Sequence, residues 1–494
     1  MFSKIIMLGT LLLLWIGFCL LFFLFKTRRP KNFPPGPQPI PIFGNLLQLN
    51  LRNPIKDLEK LSERYGKVFS LYFGGRPAVV LNGFQAMKEA MVAQAVDFAG
   101  RPHGMMISQI TEKKGVILAD YGPSWREHRR FALMTLRNFG LGKKSMEDRI
   151  LEEISYVTTL LERSDGKSVD PQSMFHKAAS NIICSIVFGT RYDHNDEFLL
   201  HIINTFREIT KMINGPWAMI YDTLRFLRIF PLPFMKVFQN VELMKTIVSD
   251  QTTQHKKTRV PGEPRDCIDC YLDEMEKRED GFSSFDESQL TYFALELHIA
   301  GTDTTSNTLL TAFLYLSTHP DIQARCQQEI DAVLGDRAHA SFEDRHKMPY
   351  VQAMIHEVQR MANIIPLSVF HRTTKDTQLM GYNIPKDTII IQNLTSVLYE
   401  ESQWKFPHDF NPSNFLNEQG EFVKPEAFMP FSAGPRMCLG EGLARMELFL
   451  FLVTLLRCFQ FVWPEDAGLP DYAPVWGAVQ TPKPYKLGIR QRGF

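Results

Sequence analysis

Residues 289–318 most constrain how this chain can fold. The segment QLTYFALELHIAGTDTTSNTLLTAFLYLST is compatible with a helix almost throughout, and it ends before His319-Pro320. A capping box with the sequence SFDE at 284–287 predicts where the helix begins. At about 1.5 Å per residue, such a helix is about 45 Å long, which is enough to cross a whole domain.

The centre of this predicted helix breaks its apolar pattern. The sequence AGTDTT at 300–305 places a glycine, three threonines and an acid there, and glycine costs about 1 kcal/mol relative to alanine in a helix. Such local conflicts are expected at functional sites. The missing side chain at Gly301 lets a flat group approach, the Thr304 hydroxyl can bond back to a carbonyl and open the turn, and Asp303 can relay protons. The alternative is a polar kink filled by water.

The amino-terminal residues 5–25 carry no charge and are long enough to span a bilayer core as a helix. A cleaved signal peptide, which is the alternative, has a shorter apolar region and a small-residue cleavage site. Basic residues are more frequent after the segment than before it, so the positive-inside rule places the rest of the chain in the cytosol. We predict a membrane anchor over 1–30 and one large domain over 31–494.

Composition excludes several classes of protein. The net charge of +1 argues against nucleic acid as an electrostatic partner. Seven scattered cysteines do not make a disulfide framework, and their odd number fits a reducing compartment. Cys267 and Cys270 form a single CxxC without a second CxxC or a nearby histidine pair, so a structural zinc site is not expected.

The remaining patterns predict a mainly α protein with small β-sheets. The apolar spacing from about 125 to 365 is mostly helical, and a last long helix is expected just after Cys438. A proline-rich stretch over 33–43 reads as a stiff connector from the membrane to the domain. Strand patterns lie at 68–73, at 77–82 beyond the turn Gly74-Gly75, and within 378–392.

The segment 215–235, GPWAMIYDTLRFLRIFPLPFM, is unusually apolar for a connection between helices. It is either a buried loop or a second, shallow membrane contact beside a substrate entrance.

Two helical spacings bring charged side chains onto one face. Glu357 and Arg360 are three residues apart and can pair, although such pairs are common on protein surfaces. Trp125 and Arg129 are four residues apart, so an indole N–H lies beside a guanidinium, which suits a carboxylate ligand.

A second basic face flanks Trp125 and Arg129. It comprises Arg126, Arg130, Arg137, Lys143 and Lys144. These side chains either dock an acidic partner or form a solvated cationic surface.

Cys438, in the sequence FSAGPRMCLG at 431–440, has four conceivable roles: disulfide, zinc ligand, nucleophile or buried apolar residue. The cytosol disfavours the disulfide, and no local signature of a cysteine nucleophile is present. Gly434 and Gly440 let backbone N–H groups approach the sulfur, and the following helix start lowers the thiol pKa. A single soft thiolate at a buried site indicates an axial ligand for haem iron.

Together these residues resemble the cytochromes P-450. The Phe431, Gly434, Arg436, Cys438 and Gly440 spacing is similar to the cysteine-ligand signature of that family. The AGTDTT helix, the Glu357/Arg360 and Trp125/Arg129 pairs and the PPGP hinge at 34–37 match in the family's order, over the whole chain. Stretches such as YGPSWREHRRF and HEVQRM resemble the vertebrate microsomal family-two enzymes, with features of drug-oxidising and fatty-acid-epoxygenating subfamilies.

The resemblance implies roles for particular residues. Cys438 would be the proximal ligand of haem b, with Phe431 beside the thiolate and Ala300 against the cofactor. Asp303 and Thr304 would activate oxygen and deliver protons, and Glu357 and Arg360 would hold the fold. The haem propionates would be held by Arg101, Trp125, Arg129, His371 and Arg436. The pocket would be lined by 105–118, Phe206, Phe293, Leu297, Ala300, 365–370 and 475–479.

Four positions depart from the family pattern. Asn414 stands where the family usually has a basic residue in the Glu-Arg network, and Pro435 removes a frequent basic residue from the presumed reductase face. Glu296 stands where Asp is usual, and we favour a structural hydrogen bond for it over attraction of amine substrates. His298 replaces a small residue and either lines the pocket or is a core histidine.

The resemblance implies a monooxygenase anchored in the endoplasmic reticulum membrane. It would insert one oxygen atom of O₂ into lipophilic substrates such as xenobiotics, fatty acids such as arachidonate, or steroids. Electrons would come from NADPH through NADPH-cytochrome P-450 reductase, with cytochrome b5 as a further partner. The alternatives are a haem-thiolate isomerase or peroxygenase, which tends to lose the acid-Thr pair, and a haem sensor or carrier.

Overall fold

A computed structural model describes residues 6–11, 13–15, 17–18, 29–138, 146–213, 215–278, 283–337, 339–477 and 479–493. Helices dominate this part of the chain, as the sequence predicts. The α-helices are α1 (Ile55–Tyr65), α2 (Gly83–Lys88), α3 (Met106–Ile110), α4 (Pro123–Asn138), α5 (Met146–Glu162), α6 (Pro171–Val187), α7 (Glu197–Ile213), α8 (Pro216–Thr223), α9 (Met235–Thr258), α10 (Cys267–Lys277), α11 (Glu287–Thr318), α12 (Pro320–Leu334), α13 (Pro349–Ala362), α14 (Thr395–Leu398) and α15 (Glu441–Cys458).

The strands form three small sheets, and the predicted strand regions are confirmed. The strands are β1 (Val68–Phe73), β2 (Arg76–Asn82), β3 (Ser168–Val169), β4 (His371–Arg372), β5 (Thr377–Leu379), β6 (Tyr382–Ile384), β7 (Ile389–Asn393), β8 (Phe459–Val462) and β9 (Leu487–Gln491). The largest sheet has the order β1-β2-β7-β4, in which only β2 and β7 pair in parallel, with Val80 opposite Ile391. The other sheets are β3-β9-β8 and the hairpin β5-β6.

Helix α11 is the predicted long helix, and it passes through the helical core. Helices α6, α9, α13 and α15 pack against it, and from Thr305 to Ser317 every side chain is buried. Its predicted start needs a correction, because the cap is Asp286, whose carboxylate accepts the Gln289 N–H at 2.8 Å. The Ser284 hydroxyl of the expected capping box donates instead to Glu127 at 2.8 Å.

Gly301 serves a different purpose from the one that the sequence suggested. A Cβ atom added there would lie 2.3 Å from Cδ1 of Ile183, on α6. The glycine therefore lets α6 and α11 approach closely. Although Gly301 also borders the central cavity, helix packing is the reason why a side chain does not fit.

Glu357 and Arg360 form a buried pair on α13 rather than a surface pair. The Arg360 Nε donates to Glu357 Oε2 at 2.7 Å, and neither side chain is exposed. Asn414 joins this network despite its lack of charge, because its Nδ2 donates to Glu357 Oε1 at 3.1 Å and its Oδ1 accepts the Phe406 N–H at 2.9 Å. The pair thus ties α13 to the irregular segment that precedes Cys438.

The two candidate membrane segments differ in how much of them is described. In the predicted anchor, residues 6–11, 13–15 and 17–18 are helical and the other positions of 5–25 lie outside the described residues. Among the residues that the structure describes, no helix is both long and apolar enough to cross a membrane. In the segment 215–235, Tyr221 and Phe234 are buried, whereas Phe226, Ile229 and Phe230 are exposed, with Ile229 82% exposed. This segment is therefore not simply a buried loop.

Candidate active site

A cavity of about 470 Å³ lies between the middle of α11 and the Cys438 segment. Its walls are mostly apolar. The predicted wall residues Phe206, Leu297 and Ala300 border it, as do Met105, Val116, Leu118, Ile365, Leu367, Phe370, Trp476 and Val479, within the predicted ranges. Phe293 is buried in the helical core and is not among the wall residues.

Cys438 lies on the cavity wall immediately before α15. The chain turns sharply before it at Gly434, whose φ is +73° and where a Cβ would lie 2.0 Å from the Met91 carbonyl oxygen. The Cys438 N–H donates to the Phe431 carbonyl at 3.0 Å. Burial raises the pKa of the Cys438 thiol, while hydrogen bonds from the Gly440 and Glu441 N–H groups and the Arg129 guanidinium oppose this rise. The start of α15 therefore supplies donors to the sulfur, as the sequence predicts.

Among the described residues, three arginines and one histidine line the same cavity as Cys438. They are Arg101, Arg129, His371 and Arg436. The Arg101 Nε donates to the Ile117 carbonyl at 2.8 Å and the Arg436 Nε to the Ala99 carbonyl at 2.9 Å. The His371 Nδ1 lies 2.7 Å from the Phe98 carbonyl, so this nitrogen carries the proton, and Nε2 becomes a donor to a carboxylate only when the ring takes up a second proton.

Asp120 and Glu296 offset part of the charge of Arg101 and Arg436 without forming ion pairs with them. Among the described residues, Arg101, Arg129 and Arg436 form no ion pair, and the buried Arg436 Nη1 has no hydrogen-bond partner. Burial, and then the Arg436 charge, hold the pKa of Arg101 well below its usual range, and burial lowers the pKa of Arg436 to about 10. A ligand with carboxylates would satisfy the orphan N–H and relieve the repulsion. The two propionates of haem therefore fit the donors that are present.

Trp125, a predicted propionate partner, has a hydrogen-bond partner within the protein. Its indole N–H donates to the Val116 carbonyl at 2.8 Å, so it does not point into the cavity. Its ring instead lies 4.1 Å from the Arg436 guanidinium carbon, with Arg129 at 5.6 Å on the same helix. In this arrangement Trp125 positions the cations that line the cavity rather than being one of the lining donors.

The two residues of the predicted oxygen-activating pair face different directions. Thr304 borders the cavity, and its hydroxyl donates to the Ala300 carbonyl at 2.5 Å. Asp303 is buried and turns away from the cavity, with its Oδ1 at 3.8 Å from His176 Nε2 on α6. Burial raises the pKa of Asp303.

For Glu296 and for His298, the structure distinguishes between the two roles that the sequence left open. Glu296 Oε2 accepts the Val116 and Ile117 N–H groups at 2.5 and 2.7 Å, and Oε1 accepts the Leu118 N–H at 3.1 Å. The preferred structural hydrogen bond is thus confirmed. His298 is a core residue, because its Nε2 lies 3.1 Å from the Ser180 hydroxyl and its ring stacks on Phe206 at 4.8 Å.

Sequence reasoning missed two acids on the cavity wall. Glu447 on α15 is buried, its Oε2 has no partner among the described residues, and burial raises its pKa to about 8. Asp222 accepts the Met106 N–H at 2.6 Å, and burial raises its pKa to about 6. A lone acid within the apolar run LARMELFLFLVTLL was the available signal for Glu447.

The basic face of α4 is separate from the cavity. Arg126, Arg130 and Arg137 are exposed, whereas Arg129 reaches inward to donate to the Met437 carbonyl at 2.5 Å. Leu133, Met134 and Met437 add exposed apolar surface beside these cations. Lys143 and Lys144 lie outside the described residues.

Comparison with known proteins gives consistent matches over almost the whole chain. The family model described as Cytochrome P450 matches residues 34–489. Similar proteins include Cytochrome P450 2F2 of Mus musculus, at 42% identity over 93% of this chain and 94% of the relative. Cytochrome P450 2D3 of Rattus norvegicus is 43% identical over 94% and 93%, and Cytochrome P450 2C8 of Homo sapiens is 40% identical over 96% and 98%.

Proposed function

Since this chain belongs to the cytochrome P450 family and is a P450 monooxygenase, we propose that it inserts one oxygen atom of O₂ into lipophilic small molecules. The substrates are xenobiotics, fatty acids such as arachidonate, or steroids, and the electrons come from NADPH through a flavoprotein reductase. The observation that carries the proposal is one cysteine sulfur on the wall of an apolar cavity, together with three arginines that have no ion-pair partner in the described part of the chain.

The cofactor for these residues is haem b. Cys438 would bind the iron, Phe431 would pack beside the sulfur, and the small side chain of Ala300 would leave room for the cofactor. Arg101, Arg129, His371 and Arg436 would hold the propionates, with Trp125 positioning the arginines. When bound, haem supplies the activation of O₂, and a thiolate ligand favours cleavage of the O–O bond.

The remaining site residues act on the substrate and on protons. The apolar wall binds a lipophilic molecule and excludes water from the centre of α11. Thr304 holds a proton at its Oγ1 on the cavity wall, and Asp303, the adjacent residue, supplies protons to that position. Because the Asp303-Thr304 pair is retained, a monooxygenase is favoured over a peroxygenase, an isomerase or a haem carrier.

The proposed redox partners and membrane contacts are inferred from exposed basic and apolar side chains. The exposed arginines of α4 would dock the acidic face of NADPH-cytochrome P450 reductase, and cytochrome b5 would use the same face. Residues 1–30 would anchor the 31–494 haem-thiolate domain to the endoplasmic reticulum membrane from its cytosolic side. The exposed Phe226, Ile229 and Phe230 would add a shallow membrane contact near the cavity.

Removal of the sulfur tests the proposed cofactor. We expect Cys438→Ala to abolish the thiolate-type absorption spectrum of the reduced carbon monoxide complex. Cys458→Ala, a cysteine at the other end of α15, should leave that spectrum unchanged. A thiolate-type spectrum retained in the Cys438 variant contradicts the ligand assignment.

A turnover screen tests the reaction. Polyunsaturated fatty acids, steroids and aromatic amine drugs are each incubated with reductase, NADPH and isotopically labelled O₂. We expect one labelled oxygen atom in the product and no product without reductase. Products that form without reductase or O₂ support the isomerase, and products that form only with added peroxide support the peroxygenase.

A further inference from the structure

A second, smaller cavity lies on the opposite side of Asp303 from the main cavity. This cleft of about 200 Å³ runs between α6 and α7. Its walls are largely polar and charged, and include Asp170, Gln172, His176, Lys177, Asn204 and Arg207. A polar space of this size holds several water molecules.

His176 stands between this cleft and Asp303. Its side chain is 3% exposed, and its Nδ1 lies 2.8 Å from the Gln172 carbonyl, which requires a proton on Nδ1. Nε2 is therefore the only ring nitrogen that can gain and lose a proton. That nitrogen lies 3.8 Å from Asp303 Oδ1, which is slightly beyond a hydrogen bond, so a small side-chain rotation or one bridging water connects them.

Asp303 does not itself border the main cavity, but two of its neighbours do. Thr210 lowers the pKa of the Asp303 carboxyl group and borders the main cavity, as does Thr304, the next residue of α11. The Thr210 hydroxyl donates to the Phe206 carbonyl at 2.9 Å. Asp303 thus lies next to two hydroxyl-bearing residues of the cavity wall, and the nearer one in sequence, Thr304, follows it directly.

We propose that His176 takes up protons from water in the α6/α7 cleft and passes them to Asp303, which delivers them to the cavity at Thr304. This role rests on the proposed function. In each transfer His176 Nε2 binds a proton from water, releases it to Asp303 Oδ1 and returns to the neutral imidazole. No electron moves and no covalent bond between heavy atoms changes.

Charges on three elements set the protonation of this pair. Burial lowers the pKa of His176, while Asp303 on α11 and Asp170 before α6 raise it and Arg207 on α7 lowers it. Burial raises the pKa of Asp303, while His176 and Arg207 lower it. Lys177 adds a further positive charge on the cleft wall. A buried acid and a buried base that face each other in this way share one proton.

Two alternatives to this proposal predict different experimental results. One is a structural role for the His176/Asp303 pair, and the other is a different source of protons. The pair could be a structural contact between α6 and α11, in which case its loss would weaken the fold without a pH-dependent effect on protons. Alternatively, protons could come from Glu447, which borders the main cavity beside Thr305 on the other side of α11.

Replacement of His176 separates these three roles. In His176→Gln, Asp303 must take protons directly from cleft water. We expect severalfold more hydrogen peroxide per electron consumed than in the wild type at pH 8, with recovery at pH 6, where more of Asp303 is protonated. His201→Gln, which removes an exposed histidine from α7, should match the wild type at both values.

The outcomes that overturn the proposal are specific. Unchanged coupling of electrons to product at pH 8 excludes His176 as the proton donor, and an equal loss at pH 6 and pH 8 indicates a structural role. A Glu447→Gln variant that uncouples while His176→Gln does not assigns the supply to Glu447. In all of these cases, normal carbon monoxide spectra and product formation leave the proposed function intact.

An exposed residue provides a second test if His176→Gln does not fold. Arg207 lowers the pKa values of both His176 and Asp303, so Arg207→Gln should raise both. The His176/Asp303 pair then keeps its proton to higher pH. The pH at which the coupling of electrons to product falls should therefore also be higher. An unmoved profile counts against the proposal.

A spectroscopic readout does not depend on turnover. In protein with isotopically labelled histidine rings, held as the diamagnetic reduced carbon monoxide complex, one ring signal should titrate and change its apparent pKa in Asp303→Asn. If no histidine signal responds to Asp303→Asn, the two groups do not share a proton.

Discussion

At the residue scale, the site depends on single buried groups whose hydrogen bonds are incomplete. Within the described part of the chain, Arg436 keeps an unpaired N–H and Glu447 an unpaired oxygen, both on the cavity wall. Such groups are costly unless a ligand, a proton or water satisfies them. They are therefore the positions where a bound cofactor and changes of pH have the largest effects.

The raised pKa of Glu447 predicts how the stability of the folded protein depends on pH. Its folded pKa of about 8 lies above the ordinary value of 4.5, so the protonated form stabilises the fold and this contribution is lost as pH rises from 4.5 through 8. We expect Glu447→Gln to match the wild type near pH 5 and to unfold at higher denaturant concentration than the wild type near pH 8.5. Exposed Glu465→Gln should differ at neither pH, and a Glu447 variant that is less stable at high pH contradicts the assignment.

The position of Thr304 predicts which fraction of the electrons from NADPH ends in product. Because its hydroxyl lies on the cavity wall, Thr304→Ala removes the final proton-holding group while preserving the helix. We expect a severalfold lower ratio of product to NADPH consumed, with the difference recovered as peroxide. Thr311→Ala, which removes a similar back-bonded hydroxyl about two helical turns further along α11 and outside the cavity wall, should leave the ratio unchanged. An unchanged ratio in the Thr304 variant refutes its role.

Sequence spacing predicted which residues meet at the site, but not where each side chain points. Thr304, Phe431 and Cys438 border the cavity as expected. The Trp125 N–H and the Asp303 carboxylate do not, because the carbonyl of Val116, in the loop before α4, and His176 on α6 are closer partners. Such orientations depend on how the chain folds back on itself, which the periodicity of a helix does not show.

At the scale of elements, the contact between α6 and α11 is tight enough to require a glycine. Gly301→Ala gains about 1 kcal/mol of helix propensity, but its Cβ would overlap Ile183, and overpacking of this kind costs about 1–3 kcal/mol. We expect net destabilisation by denaturant unfolding, and a smaller loss when Gly301→Ala is made in an Ile183→Ala background, which lacks the overlapping atoms. Gly442→Ala on α15, where a Cβ meets no atom within 4 Å, should stabilise the protein slightly. Additive effects of Gly301→Ala and Ile183→Ala would argue against this contact.

Helix and strand positions were predicted better than their ends. Period and turn residues located α11, α15 and the β1-β2 hairpin, because these signals are local. The predicted start of α11 was wrong by two residues, since two neighbouring acceptors, Ser284 and Asp286, can each cap a helix. Only the packing of α11 on its neighbours selects between them.

At the scale of the whole molecule, the basic face of α4 predicts how the protein receives electrons. Reversal of the exposed Arg126 and Arg130 to Glu should lower reductase-supported turnover severalfold, while turnover driven by added peroxide is retained. The exposed lysines Lys56 and Lys60 of α1 have the same spacing, and their reversal should change neither rate in detergent solution. An equal loss of both rates in the arginine variant would contradict a docking role.

The parallel pairing of β2 with β7 has a consequence for biosynthesis. The Asn393 side-chain amide donates to Asn82 at 2.8 Å across 311 residues of sequence. During translation the β1-β2 hairpin must therefore wait, with its inner edge unpaired, until most of the chain has left the ribosome. Closing such a long loop is slow, and open strand edges invite aggregation. Chaperone binding to the nascent chain should therefore persist until β7 emerges.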